Sequence, residues 1–197
     1  MGTSSAFGIV VTWEKIMELK LNELKITVHL NDGSEVFELF QDSTVYVEIR
    51  LLVDGKGLEL GFLNEVSSRG LARSCFGEGE HFIFTCSCGD PGCGGIERGV
   101  IVLDYLMYYG ECIRWLVPVP IETCRKPDWA SHLPEGVLTY VEFIFDKQRY
   151  MEEVYKALCE IRRLVKETVP EPKLPPLMLG MDELESNISE MKYRFNI

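Results

Sequence analysis

From Asp146 onward, apolar side chains fall at Tyr150, Met151, Val154, Tyr155, Leu158, Ile161 and Val165, the three-, four- and seven-residue spacing of one helix face. Asp146 is the expected N-cap, its side-chain oxygen supplying an acceptor for an orphan amide of the first turn. Pro170-Glu171-Pro172-Lys173-Leu174-Pro175-Pro176 cannot continue a helix and ends it. This is the one long helical stripe in a chain whose other patterned segments repeat every two residues. It predicts a helix over about 146–168 that packs its apolar face on a sheet.

The period-two segments come early and in sequence. Leu24–Leu30 alternates, Asn31-Asp32-Gly33 is a turn signal, and Val36–Phe40 resumes the alternation. Val45–Val53 is a further strand, closed by Asp54-Gly55. Leu58–Val66 fits a short helix or a strand, and Ser67–Arg73 reads as a loop. Glu80–Cys88 reads as a strand, as do residues 96–109, Cys112–Val117 and Leu138–Phe145. Pro118, Pro120, Pro127 and Pro134 mark an irregular stretch between the last two.

Strands joined by short turns favour antiparallel pairing, and strand–helix alternation is too sparse for a doubly wound fold. The expected class is α+β: a mainly antiparallel sheet, one principal amphipathic helix, and a short C-terminal helix over 181–193. Residues 1–169 form the expected domain, 170–180 a proline-rich linker, and 181–197 a helical tail. That tail is a candidate surface for a protein partner or a homo-oligomer.

Composition narrows the partners. The chain has 197 residues, 46% of them apolar and 26% charged, enough to bury a core without a staple. Its formal net charge of -11 and pI of about 4.8 repel phosphate backbones, so no nucleic-acid partner is expected. The basic residues Lys156, Arg162, Arg163 and Lys166 alternate with Glu153, Glu160 and Glu167, the pattern of a solvated helix face. No apolar run approaches a membrane span and no targeting signal stands at the start, so the expectation is a cytoplasmic protein. Seven cysteines, an odd number irregularly spread, then point to free or metal-bound thiols rather than a disulfide framework.

Three of those thiols are concentrated in Cys86-Ser87-Cys88-Gly89-Asp90-Pro91-Gly92-Cys93-Gly94-Gly95. Asp90-Pro91-Gly92-Cys93 suits a type II turn, because proline presets φ at its second position and glycine supplies positive φ at its third. On a continuous strand from Glu80, the side chains of Phe82, Phe84, Cys86 and Cys88 share one face, with His81, Ile83, Thr85 and Ser87 on the other. An even-numbered loop brings Cys93 onto the face of Cys86 and Cys88. Zinc holds thiolate sulfurs at about 2.3 Å and takes four ligands. Cys75 and Cys124 are the remote candidates for the fourth. Cys112 lies within a strand, and His81 points to the opposite face. The same three thiols also fit small hydrophobes in a core beside Phe82 and Phe84, or a redox-active pair.

This segment resembles the zinc-binding post-SET segment of histone methyltransferases, C-x-C-G-x3-C-x-G. That resemblance implies a zinc shared with one remote cysteine. It implies no methyltransferase activity, since the Asn-His-Ser-Cys motif is lacking. Phe84–Ile96 also resembles the signature of a bacterial protein family with no established activity. Ile113-Arg114-Trp115 and Phe145-Asp146-Lys147-Gln148-Arg149-Tyr150 stand where that family has its later motifs, and the resemblance spans roughly Val45 to Leu164.

Enzyme motifs do not accompany the thiols. Neither G-x-S-x-G nor H-E-x-x-H occurs, and Gly55-Lys56-Gly57-Leu58-Glu59-Leu60-Gly61 is one residue too long for a dinucleotide fingerprint. Pairing Cys75 with His81 as nucleophile and base would need an electropositive setting, and the chain is acidic. His29 and His81 read as strand residues, His132 as a surface residue and Asp128 as a loop acid. The expectation is therefore a non-enzymatic accessory or interaction protein with a structural cysteine cluster. The alternative is a zinc- or thiol-dependent enzyme or sensor that uses Cys86, Cys88 and Cys93.

Overall fold

The protein folds as α+β, seen here in a computed structural model that describes residues 20–31, 46–58, 65–85, 100–103, 112–120, 138–168 and 180–197. Strands β1 (Leu24–Asn31), β2 (Tyr46–Val53) and β3 (Lys56–Gly57) form one antiparallel sheet in sequence order. β4 (Glu65–Val66) and β6 (Phe84–Thr85) form a two-stranded ladder. β5 (Gly79–His81), β7 (Val100–Leu103), β8 (Cys112–Pro120) and β9 (Leu138–Asp146) make a four-stranded antiparallel sheet in that order. Helices α1 (Ser68–Ser74), α2 (Lys147–Glu167) and α3 (Met181–Phe195) complete the described elements.

β1 lies against β2, with Asn31 opposite Tyr46 and Leu24 opposite Val53. The segment Val36–Phe40 lies outside the described residues. The Asp54-Gly55 signal closes β2 as expected. Both residues take positive φ (52° and 75°) and Val53 faces Lys56, which is a two-residue type I′ hairpin whose twist matches the strands it joins.

β8 runs three residues past the expected end at Val117, through Pro118 and Pro120, and the ladder's parity explains why it can. Ile144 gives both its backbone groups to Asn22, away from β8, so Arg114 and Ile144 are a non-hydrogen-bonded pair. Pro118 opposite Tyr140 and Pro120 opposite Leu138 fall in the same phase. Their missing N–H groups therefore face away from β9, beyond the last described pair with β7, Leu116 opposite Ile101.

The helical stripe is confirmed. Asp146 accepts a hydrogen bond from the Arg149 amide at 2.8 Å, and α2 buries Tyr150, Met151, Val154, Ala157, Leu158, Ile161 and Val165. Tyr155 is half-buried rather than core. The C-terminal helix extends to Phe195 and packs within its own chain, with Leu184, Ile188 and Met191 buried in the same core cluster as α2. Each fully buried side chain of this size contributes about 1.5–3 kcal/mol.

One polar device joins the two larger sheets, and another joins α2 to β1. Asn22 donates its amide to Ile144 O (2.7 Å), accepts from the Ile144 amide at Oδ1 (2.9 Å), and donates from Nδ2 to Asp54 (2.9 Å). Asp54 in turn accepts from the Glu23 amide at 2.9 Å. On the outer edge of β1, Glu153 of α2 accepts from the Ile26 amide at 3.0 Å, giving an edge-strand donor a partner. No helix among the described residues is long and apolar enough to cross a membrane.

The hydrogen bond from the Glu23 amide, then that from Asn22, holds the Asp54 carboxyl below its ordinary value. A carboxyl depressed in the folded state stabilises above its unfolded pKa, and that contribution is lost as pH falls through the folded value. Urea titrations of wild type and Asp54→Asn should therefore differ most at neutral pH and converge as pH drops from about 5 towards about 2. A constant difference across that range would remove Asp54 as the titrating clamp.

Candidate functional site

Two chemistry-bearing residues, Ser74 and Cys75, lie at the end of α1, and the Tyr150 hydroxyl bonds to the first of them. The pattern over Ser67–Arg73 reads as a loop, but the chain turns helical at Ser68. Ser67 is the N-cap, its Oγ accepting from the Gly70 amide at 3.1 Å. Leu71, Ala72, Ser74 and Cys75 then point into the core. The helix is only seven residues long with a glycine at its third position, so no long periodic signal announced it; the Ser67 cap and the Leu71–Cys75 spacing were the traces available.

Gly70 is required by close approach. A Cβ there would lie 2.2 Å from the Phe82 carbonyl oxygen and 2.9 Å from the Ile83 Cα, both backbone atoms that cannot swing aside. The segment crossing over Gly70 is where the expected strand 80–88 breaks. The Ile83 amide bonds back to His81 O (2.9 Å), and Ile83 O accepts from the Ser67 amide (2.7 Å). β5 therefore pairs with β7 before the break, and β6 with β4 after it.

That break corrects the parity argument. Phe82 is 41% exposed, whereas Ile83 and Phe84 are adjacent and both buried, at 0% and 1%. Phe82 and Phe84 do not share a face, because the turn at Phe82 resets the alternation. Any parity for Cys86 and Cys88 must be counted from Phe84. Cys86, Cys88 and Cys93 lie outside the described residues, as does Cys124.

Cys75, the other candidate fourth ligand, sits at the C-terminal end of α1 in the core. Its Sγ lies 3.5 Å from Leu71 O, and burial pushes the thiol well above the ordinary cysteine range, against a smaller opposing effect of Ser74. Cys112 is buried at the start of β8, opposite Asp146. His81 donates from Nε2 to Gly77 O at 2.9 Å. Among the described residues no three of His, Cys, Asp and Glu come together as a metal-binding group.

Ser74 and Tyr150 form a contact that no motif indicated. Ser74 Oγ donates to Leu71 O at 2.6 Å, which leaves the Tyr150 hydroxyl as the donor across the 2.6 Å contact to Ser74 Oγ. Both side chains are fully enclosed, so the bond is architectural.

Cys159, which no sequence motif marks, is half-buried on α2. Arg162 Nη2 lies 3.9 Å from its sulfur, and Nη1 of the same guanidinium donates to Glu185 of α3 at 3.1 Å. A hydrogen bond with Cys159 raises the Tyr155 hydroxyl's pKa. Lys166 and then Arg162 hold the Glu185 carboxyl below the ordinary range. The last two turns of α2 thus present two bases, Arg162 and Lys166, to Glu185 of α3.

No family model matches the chain, and neither a curated protein nor a solved structure shows significant similarity to it.

The Gly70 contact yields a direct test. Gly70→Ala must push the Phe82–Ile83 backbone off α1, an overpacking effect of about 1–3 kcal/mol or more. Chemical denaturation should show that loss. A variant as stable as wild type would mean the crossing is looser than the 2.2 Å approach requires.

Proposed function

We propose that this is a non-enzymatic accessory or interaction protein whose Cys86–Cys93 turn is a structural element presented from a rigid root. The observation that supports this reading is the anchoring just before the first cysteine. Ile83 and Phe84 are buried at 0% and 1%, and Val66 and Ser67 pair with them across β4 and the start of α1. A turn launched from so fixed a base suits a displayed, preorganised surface.

The described polar side chains that resemble catalytic parts have other duties. Ser74 and Tyr150 bind one another, His81 binds a carbonyl, and Cys75 is a core thiol whose charged form is disfavoured. The post-SET-like spacing supports zinc as the occupant of the turn. Cys86, Cys88 and Cys93 would hold the metal, and the burial of Cys75 favours Cys124 over it as the fourth ligand. In that role zinc would supply cohesion to the turn and would close off its own coordination sphere.

Protein purified without added zinc should carry about one equivalent of zinc, lost in Cys88→Ser and in Cys124→Ser but retained in Cys75→Ser. The cobalt-substituted protein should show a tetrahedral thiolate spectrum that added azide leaves unchanged. A spectrum that shifts with azide would reveal an exchangeable position and turn the assignment to the zinc-dependent enzyme or sensor. Metal-free protein whose three thiols react freely in the native state would sink the structural role altogether.

A further inference from the structure

Asp54-Gly55 is a dipeptide open to a reaction of its own backbone. The Gly55 nitrogen can attack Asp54 Cγ and close a cyclic imide. A C–N bond forms, a Cγ–O bond breaks, and the proton from nitrogen leaves with the hydroxyl as water. Water then reopens the ring. Addition at Cγ restores aspartate. Addition at the Asp54 main-chain carbonyl leaves the chain running through Cβ and Cγ, an isoaspartate of the same composition. Glycine favours the closure because no Cβ shields its nitrogen.

The turn leaves the attacking side open. Gly55 is exposed, and a Cβ there would meet nothing within 4 Å. Val53 faces Lys56 across the turn, and the closing amide of such a turn belongs to its fourth residue, so the turn makes no use of the Gly55 N–H. Asp54 is exposed as well, which gives water access to both residues.

The electrophile, by contrast, is held from the other side. Asp54 Oδ1 accepts from the Glu23 amide and Oδ2 from Asn22 Nδ2, each at 2.9 Å, and the Asp54 amide donates to Glu23 O at 2.9 Å. Both carboxyl oxygens are thereby turned towards residues 22 and 23. Swinging Cγ onto the Gly55 nitrogen breaks both of their bonds. The Glu23 bond first, and the Asn22 bond second, also favour the ionised carboxyl, whereas the imide closes from the neutral acid. Asn22 is itself anchored on β9, its amide donating to Ile144 O at 2.7 Å and its Oδ1 accepting from the Ile144 amide at 2.9 Å.

We propose that Asp54 is a latent isoaspartate site, closed in the folded protein by the Asn22–Glu23 clamp and opened when the entry to β1 releases the turn. An isoaspartate adds a methylene to the main chain and moves the free carboxylate to Cα. Asn22 Nδ2 then loses its acceptor, and the modification undoes the clamp that had prevented it. The site is independent of the thiol reading, since none of these residues belongs to the cysteine turn.

Ageing of the full-length protein in warm neutral buffer tests this. Trypsin releases Leu51–Lys56, in which the isoaspartyl form separates chromatographically and accepts a methyl label from an isoaspartyl methyltransferase. The free hexapeptide of the same sequence sets the unprotected rate. Asn22→Asp keeps the acceptor for the Ile144 amide but removes the donor to Asp54. Wild type should convert at least about tenfold more slowly than the hexapeptide, and Asn22→Asp about tenfold faster than wild type, the factor that one hydrogen bond to a charged group is worth. Ile188→Ala, which weakens the fold from α3 without touching the turn, should stay as slow as wild type, with circular dichroism confirming that both variants are folded. Wild type converting as fast as the hexapeptide, Asn22→Asp staying as slow as wild type, or Ile188→Ala matching the speed of Asn22→Asp would each overturn the clamp as the protecting device.

Discussion

Tyr150 is the residue on which the arrangement of the described core depends. Its ring meets Trp115 edge-on with centroids 5.6 Å apart and lies 5.8 Å from Phe145, so it locks the start of α2 onto β8 and β9. Trp115 and Phe145 are themselves in edge contact at 5.2 Å, an arrangement that places ring hydrogens over a π face. The Tyr150 hydroxyl then reaches Ser74 and ties the same helix to α1. Removing that hydroxyl alone, as in Tyr150→Phe, leaves Ser74 bonded to Leu71 and should cost only about 1 kcal/mol, because the rings continue to pack. A much larger loss in urea unfolding would show that the hydroxyl, rather than the ring, sets the position of α1.

A second constraint explains how several short sheets behave as one body. β1 has an outer edge whose amides need partners, and β9 is the outer strand of its own sheet. Among the described residues these needs are met by Asn22, whose backbone amide and side-chain Oδ1 both bind Ile144 of β9, and by the Glu153 carboxylate, which takes the Ile26 amide. Each is a polar group placed where a hydrogen-bonding ladder would otherwise continue. Each also connects elements more than a hundred residues apart, which makes them topological staples as well as edge caps.

The long elements were legible because their signals are redundant. α2 carried a cap, a seven-residue stripe and a proline stop, and all three agree with the structure. The end of β2 was legible because Asp54-Gly55 suits two successive positive φ angles. The misreadings fall where one close contact overrides the local pattern. α1 was hidden because its glycine serves the Phe82 crossing rather than a turn. The strand expected over 80–88 looked continuous because nothing in its composition announces a turn at Phe82, a residue exposed despite its apolar side chain. β8 outran the expectation because a proline is harmful only in one of two phases, and phase is set by the partner strand. Of the candidate site, the sequence supplied the thiol spacing. It had no means of showing that Cys75 faces a helix carbonyl in the core, since that depends on the unseen α1.

The rooting of the cysteine turn bears on how a metal would act there. Zinc bound by residues that are otherwise unfolded contributes its binding free energy to folding the whole unit. Here the chain entering the turn is already fixed by Ile83, Phe84 and the pairing of β4 with β6, and the aromatic core around Tyr150 is built without any thiol from the turn. Metal at Cys86, Cys88 and Cys93, with Cys124 as the proposed fourth ligand, would therefore order the turn and tie it to Cys124 without building the core. Chelation would then release that turn while the two larger sheets and three helices persist, which separates a displayed structural element from a metal on which the fold itself depends.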